Sequence, residues 1–515
     1  MGIIARQSIK GTIVTYLGVV IGFITTFFVL TRFLSAEEIG LVRVLIDAAT
    51  LFVGLAQLGT SSSLIRFAPW FKEVESESES ESEKKDHGLF FWALVLPFLG
   101  FTVFAIVYWA CKVPLTHWFA EKSPLFVDYY YFVLPIAFFL LYQTIFETCS
   151  NVLMRIVVPR AVREVGLRVG LLVLYLLYAY KIISMDGFVI AISGVYALAA
   201  LINLGYLLAT GHLSFKPDWA FLKANKDLVR KCCLYTGFLI VSAITSVLVP
   251  SLSSFFITAQ MGLNYTGIFA IATYMAVMVS IPYRSVTAIA SPQLSEAIHA
   301  NDRAQSNALM QQVFNNTFII GTVIFLLLWV NIDLIYWLLP NGTTYAAART
   351  AVFILAIGQL LVATFSMVFN AINFGKYYAL SLVLSAILTA LAIVFNNAFI
   401  PRWGMNGAAL SSCLSYGIYV ALALFVLMVL MRIQPFSKSM LWTLLLFGAV
   451  LGLNYVLEQA FTFTFTVTVS QTAFVWLSSL TRDIVLGGTY LLLLYRFNLS
   501  PEINAILRSV QLPRH

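Results

Sequence analysis

Charge is what this 515-residue chain has least of: Asp, Glu, Lys and Arg make up 10% of it, against about 25% in an ordinary soluble protein. With 60% of the residues hydrophobic, almost no room is left for a soluble domain. Cysteine is scarce as well. The five present (Cys111, Cys149, Cys232, Cys233 and Cys413) lie in or beside apolar runs, at none of the spacings of a zinc site or a disulfide framework. They read as small core residues, and neither a metal nor a cofactor is expected. Long polar segments on the outer side are missing too. A membrane glycosyltransferase or glycan polymerase would be expected to hold its acidic catalytic groups there, so the chain does not read as an enzyme. Nor is there a convincing signal cleavage site. Arg6 and Lys10 precede an apolar run far longer than the 7–15 residues of a signal-peptide core, and this run reads as a retained first helix.

What is present is a series of apolar runs, each of about the 20 residues that cross a bilayer. They cover 11–34, 39–67, 88–111, 125–151, 161–183 and 185–210, then 232–257, 265–290, 313–334, 347–370, 377–400 and 405–431, and finally 440–457 and 472–495. The expectation is an all-α integral membrane protein of about fourteen transmembrane helices. Basic loops stay cytoplasmic, and with both termini inside, all but eight of the 31 Lys and Arg residues fall in cytoplasmic segments. The eight are Arg32, Lys112, Lys122, Lys181, Arg349 and Arg402 outside, and Arg43 and Arg482 within spans. The net charge of +8 therefore points to anionic lipid headgroups, not to nucleic acid. Residues 73–85 alternate Glu and Ser and read as a solvated cytoplasmic linker that cannot fold alone.

A shift of 227 residues lays Phe28 on Phe255, Gly40 on Gly267 and the second span on the eighth. Met185-Asp186-Gly187 with Tyr196 is echoed by Met405-Asn406-Gly407 with Tyr416. Two six-helix repeats of equal orientation follow, related by an axis along the membrane normal, with a binding site expected between them. The expected division is a first lobe at 1–230, including the acidic loop 73–86, a second at 231–435, and a helix pair with a cytoplasmic tail at 436–515.

The opening Arg6-Gln7-Ser8-Ile9-Lys10-Gly11, the turn Leu34-Ser35-Ala36-Glu37-Glu38-Ile39-Gly40-Leu41, and Asn370 to Lys376 followed by Ile400 to Ala409 resemble the Wzx-type polysaccharide flippases of the multidrug/oligosaccharidyl-lipid/polysaccharide exporter superfamily. The resemblance implies two lobes of six helices in a V around a central cavity, and alternating access. It also implies an undecaprenyl-pyrophosphate-linked oligosaccharide, turned to the outer leaflet of a bacterial inner membrane and passed to glycan polymerase machinery. The alternatives are a multidrug cation exporter of the same superfamily and, third, a membrane glycosyltransferase or polymerase. A cation exporter of that superfamily would put carboxylates on helices one and seven, which have none here.

Several polar residues sit inside the spans. Arg43, Asp47, Thr50, Gly54, Gln57 and Ser61 recur at steps of three and four, so they share one helix face. That face is either a buried seam, with Arg43 and Asp47 paired, or cavity lining, and both can hold together. Thr273, Ser280, Arg284, Thr287 and Ser291 form a comparable face in the eighth span, with Arg284 about 28 Å along a straight helix. A pyrophosphate asks for Arg, whose planar fork binds phosphate oxygens bidentately. The cavity candidates are accordingly Arg284, Arg43, Gln57, Ser61, Thr273, Ser280 and Thr287. Asp47 and Glu147 are candidates for proton coupling, because a carboxylate in a span is costly; sodium is the alternative coupling ion. Glu147 could instead pair with Arg155 or Arg163. Arg6, Lys10, Arg163 and Arg168 could form a basic cytoplasmic mouth. Arg482 and Asp483, adjacent and therefore not facing each other, have no partner that the sequence identifies.

Overall fold

The computed structural model of the chain describes residues 3–72, 88–153, 155–210, 217–465 and 471–497. The Glu-Ser segment of 73–86 lies outside them. Every regular element among the described residues is helical. A bilayer imposes this, because a backbone without water must satisfy its polar groups within its own segment. The chain is an all-α integral membrane protein.

Ten helices among the described residues are long and apolar enough to span. One of these runs from Tyr378 to Leu430, 53 residues, or about 80 Å at 1.5 Å per residue, too long for one crossing. It turns back at Gly404, whose φ of 56° and ψ of −133° are not helical. The Ser411 hydroxyl then reaches the Ala392 carbonyl at 3.5 Å, and Gly407 packs on the Phe399 carbonyl. Two of the expected spans are thus the arms of one hairpin. The expected spans at 161–183 and 472–495 are each interrupted by a π-helical segment, Val162–Gly166 and Asp483–Gly487, which divides them into short pieces. The span expected at 232–257 lies within the helix Lys226–Gln260.

The chain divides into two compact units, Met1–Ala270 and Ile271–His515. In the first, α1 spans Ile3–Ile24, α2 Ala36–Ala56, α3 Thr60–Lys72, α4 Leu89–Ala110, α5 Val133–Val152, α6 Leu167–Ala179, α7 Met185–Ala209, α8 Trp219–Ala224 and α9 Lys226–Gln260. The centre is α2, which packs against α4, α5 and α9. Its start is set by sequence. The Ser35 hydroxyl accepts from the Glu38 N–H at 3.2 Å while the Glu38 carboxylate accepts from the Ser35 N–H at 2.7 Å, a capping box that satisfies two orphan donors. Leu41, Leu45 and Ala49 of α2, Ile136, Leu141 and Ile145 of α5, and Phe188 and Ile192 of α7 are wholly buried. The single helix expected over 39–67 is corrected here: Leu58 and Gly59 take positive φ, 47° and 69°, and α3 leaves on a new axis. Gly100 of α4 fills the break, pressed against the Ala56 carbonyl and the Leu58 side chain.

The repeat reappears as a contact. The next helix, α10 (Leu263–Val277), opens against α2 so that a Cβ on Gly40 would overlap the Leu263 carbonyl. A Cβ on Gly267 would overlap the Ala36 carbonyl in the same way. Ala36 and Gly40 are the 227-residue counterparts of Leu263 and Gly267, so the crossing is reciprocal. Small residues at such a point let two backbones approach closely.

In the second unit, α11 is Tyr283–His299, α12 Arg303–Val330, α13 Arg349–Phe374, α14 Tyr378–Phe425, α15 Lys438–Phe465, α16 Gln471–Arg482 and α17 Gly488–Arg496. Its core gathers Leu294, Met310, Phe314, Met367, Val368, Ala371, Ala423 and Leu427. The C-terminal helices are fastened to it by rings and charge. Phe447 meets the rings of Phe318 and Phe325, Tyr490 bonds Thr322, and Arg349 Nη2 donates to Asp333 at 3.1 Å and to Glu458 at 2.8 Å. Asp483 finds its partner in Asn331, whose amide reaches both carboxylate oxygens at 2.8 and 2.9 Å. Buried Arg482 donates Nε to the Ser478 carbonyl at 3.1 Å.

Gly40→Ala and Gly267→Ala should each destabilise the protein by about 1–3 kcal/mol, the usual cost of overpacking. Gly205→Ala on α7, where nothing lies within 4 Å of an added Cβ, should not destabilise it and should gain up to about 1 kcal/mol from the better helix former. Thermal unfolding of the three variants in detergent measures the difference.

Candidate functional site

The polar face of α2 is built around an ion pair. Arg43 Nε donates to Asp47 Oδ2 at 2.8 Å, and the two side chains are 20% and 11% exposed. The i, i+4 spacing puts them side by side, and the hydroxyl of Ser254 on α9 donates to the same carboxylate. One turn on, Thr50 returns its hydroxyl to the Ile46 carbonyl at 2.7 Å, and Gly54 is buried. Gln57 closes α2 and accepts from Ser61 Oγ at 3.1 Å. The face expected from the sequence is present from Arg43 to Gln57. Ser61 rejoins it across the break through this one hydrogen bond. Ser254 was not anticipated. The available signal was the run Ser251-Leu252-Ser253-Ser254 after Pro250, whose three serines are all buried.

A second set of charges joins α5 to the segment before α6. Arg163 Nη1 meets Glu147 Oε1 at 2.8 Å, Arg163 also reaches Glu164, and Arg168 meets Glu164 at 3.1 Å. Of the two partners considered for Glu147, the structure selects Arg163. Glu164 was overlooked, and it draws Arg163 and Arg168 into one chain of alternating charge. Gly18 of α1 packs on the Glu164 backbone, and a Cβ on Gly22 would lie 2.9 Å from Arg168 Nη1. Here the small residues of the first span make room for a charged neighbour. The side chains of Arg6 and Lys10 lie outside the described residues. At the far end of α5, Tyr129 donates to Asp186 at 2.6 Å.

The third group is rearranged relative to expectation. The straight helix expected over 265–290 is broken by a 3-10 turn at Met278–Ser280 and by Pro282, which gives up a backbone donor. Thr273 therefore sits on α10, Ser280 in the turn, and Arg284 and Thr287 in the first turns of α11. The continuous face and the 28 Å depth of Arg284 are both corrected by that break. Ser280 is buried and returns its hydroxyl to the Val277 carbonyl at 2.9 Å, and Thr287 does the same to Tyr283 at 2.9 Å. Arg284 is exposed, and among the described residues no carboxylate pairs with it. No group of three or more His, Cys, Asp or Glu suited to a metal occurs among them.

Residues 5–298 match the family model described as "Polysaccharide biosynthesis protein". Among solved structures, the chain is similar to the lipid II flippase MurJ in an inward closed conformation. The TM-score is 0.71 at 14% identity, covering 96% of this chain and 100% of that one. It is also similar to an inward-facing multidrug resistance MATE family transporter of the MOP superfamily, with TM-score 0.61 at 14% identity, covering 78% and 92%. A third is a point mutant of the Vibrio cholerae MATE transporter VcmN, with TM-score 0.58 at 15% identity, covering 84% and 98%. At these identities the likeness is one of fold. A comparison with curated protein sequences finds no match.

Asp47→Asn removes the charge that Arg43 Nε meets at 2.8 Å and should cost up to about 3–5 kcal/mol, the upper range for breaking a buried pair. Removing both charges, Asp47→Asn with Arg43→Gln, should recover most of that loss. Unfolding of single and double variants in detergent tests it, and a double variant no more stable than the single would show that the pairing is not what matters.

Proposed function

The chain belongs to the polysaccharide biosynthesis protein family, and from that premise we propose that it is a flippase for an undecaprenyl-pyrophosphate-linked oligosaccharide. It moves this substrate from the inner to the outer leaflet of a bacterial cytoplasmic membrane by alternating access, without catalysing a reaction. The observation that carries the reading is the pairing of the charges. Asp47 and Glu147, two buried carboxylates within the spans, are already met by Arg43 and Arg163, whereas Arg284 has no carboxylate partner among the described residues. A guanidinium without an anion suits a pyrophosphate, which it can grip bidentately. The fold shared with a protein described as a lipid II flippase, over 96% of this chain, supports the same class of cargo. The MATE transporters have the fold in common too, so cation export is the second reading, and the paired carboxylates weigh against it.

In this proposal Arg284 binds the pyrophosphate, with Thr273, Ser280 and Thr287 of the same stretch, and Arg43, Gln57 and Ser61 of the α2 face, as further substrate contacts. Asp47 and Glu147 would couple transport to protons by exchanging their Arg partners for a proton. Lobes at 1–230 and 231–435 and a terminal pair at 436–515 complete the scheme, with both termini cytoplasmic. Single cysteines at Ser78 and Lys122 in a cysteine-free background should label from the inside and the outside of intact cells, respectively. Arg284→Ala should insert normally and bind the lipid-pyrophosphate oligosaccharide about 10- to 100-fold more weakly, the equivalent of the ~1.5–3 kcal/mol of a charged hydrogen bond. Arg284→Lys should retain part, since a point charge replaces a fork. Unchanged binding by purified Arg284→Ala in detergent would remove the residue from the site.

A further inference from the structure

A cavity of about 550 Å³ opens in the first unit between α3, α4, α8 and α9, well within the 300–1,000 Å³ range of small-molecule sites. Phe67 and Phe71 of α3, Leu96 of α4 and Trp219 of α8 give it an apolar wall, and Lys223 and Lys226 stand in its lining. Along α9 the lining extends from Lys226 to Thr236, ten residues or about 15 Å, so the cavity is a slot with its cations at the loop end. At the inner end the Ser63 and Thr236 hydroxyls bond each other at 2.7 Å, and the buried Thr60 hydroxyl, which also lines the cavity, has no partner among the described residues. At the loop end, the buried indole N–H of Trp92 has no acceptor among the described residues, although its ring is held edge-on by Trp219 at 5.4 Å.

We propose that this slot is a binding site for an anionic glycerophospholipid, distinct from the transport substrate. One acyl chain fills the apolar slot, the phosphate lies on Lys223 and Lys226, and an ester carbonyl accepts from the Trp92 N–H. Three observations select this occupant. Both lysines are exposed and, among the described residues, neither has an ion-pair partner. The nearby acids do not neutralise them: Asp218 caps α8 by accepting from the Phe221 N–H at 2.9 Å, and Asp227, adjacent to Lys226 on a helix, does not face it. The orphan indole donor sits near the cations and not at the slot's inner end, where an ester lies relative to its phosphate. A polyprenyl phosphate is anionic too but has no ester carbonyl to offer.

The site goes beyond the proposed flippase activity and is tested without it. Purified, delipidated full-length protein in detergent is titrated with phosphatidylglycerol, with its ether-linked analogue, with phosphatidylcholine of the same chains, and with undecaprenyl phosphate. Binding is followed by native mass spectrometry and by thermal unfolding. Phosphatidylglycerol should bind and raise the unfolding temperature, the ether analogue and phosphatidylcholine less so. Lys223→Gln and Lys226→Gln should each weaken binding about fivefold, the equivalent of ~1 kcal/mol per basic residue at an anionic lipid. Trp92→Phe should abolish the preference for ester over ether. Leu96→Trp, at a partly exposed position, should fill the slot and block binding while the lipid-free unfolding temperature stays at that of the parent. Arg284→Ala should bind phosphatidylglycerol as the parent does, which separates this site from the substrate's. The proposal is overturned if undecaprenyl phosphate displaces phosphatidylglycerol, or if Leu96→Trp or the lysine variants bind it unchanged.

Discussion

The first unit is organised by the approach of two helix backbones at Ala36 and Gly40 on one side and Leu263 and Gly267 on the other. In a bilayer no hydrophobic force draws one apolar helix to another, so close packing and a few hydrogen bonds must do it. Once α2 and the start of α10 touch there, much else is constrained. The α9 helix runs beside α2 and delivers Ser254 to Asp47, and its end is tied to the segment between α4 and α5 by Ser123 donating to the Thr258 carbonyl at 2.6 Å. The capped start of α2 is held as well, since the Tyr178 hydroxyl donates to the Glu38 carboxylate that closes the capping box. A single residue thus starts one helix correctly and anchors a neighbouring one.

Charge is handled with the same few contacts. A span can carry Asp47 or Glu147 only if a partner offsets the desolvation, and each has an arginine within 2.8 Å. Arg163 is shared between Glu147 and Glu164, and Arg168 extends the chain to a residue that packs on a glycine of α1. These pairs give the unit defined registers between helices whose surfaces are otherwise greasy and weakly specific. They also give it groups whose exchange of partners could accompany a change of conformation. The second unit shows the contrasting arrangement. Arg349 is divided between Asp333 and Glu458 to hold the terminal helices, while Arg284 stands exposed at a helix start.

Irregular backbone stands beside several of the candidate side chains. The break at Leu58 and Gly59 lies between the polar face and the slot-lining helix α3. The 3-10 turn and Pro282 precede Arg284, and the π-helical segment Val162–Gly166 carries Arg163 and Glu164. Departures from regular helix are expensive where lipid cannot satisfy the freed groups, and they survive where neighbouring helices or an aqueous cavity do so. Their placement beside charged side chains fits helices broken for function.

The class of the protein was determined by composition. A chain with so little charge and so many runs near 20 residues has to be a set of membrane helices, and the i, i+4 spacing of Arg43 and Asp47 puts the two side by side on one face. The repeat was legible for a related reason: a residue that must be glycine for two backbones to meet is visible in both copies. Only the tertiary structure decided what depends on residues far apart in the chain. Glu147 could choose between two arginines, Asp483 and Asn331 lie on different helices, and Ser254 reaches Asp47 only because α9 runs beside α2. The breaks at Leu58 and Pro282 were equally hidden, although a glycine or proline stands at or beside each, whereas the turn at Gly404 falls between two spans that the sequence already separates. Apolar spans tolerate both residues when neighbours re-satisfy the backbone, so hydropathy reads a broken helix as a straight one. Which side chains share a face is then settled by packing.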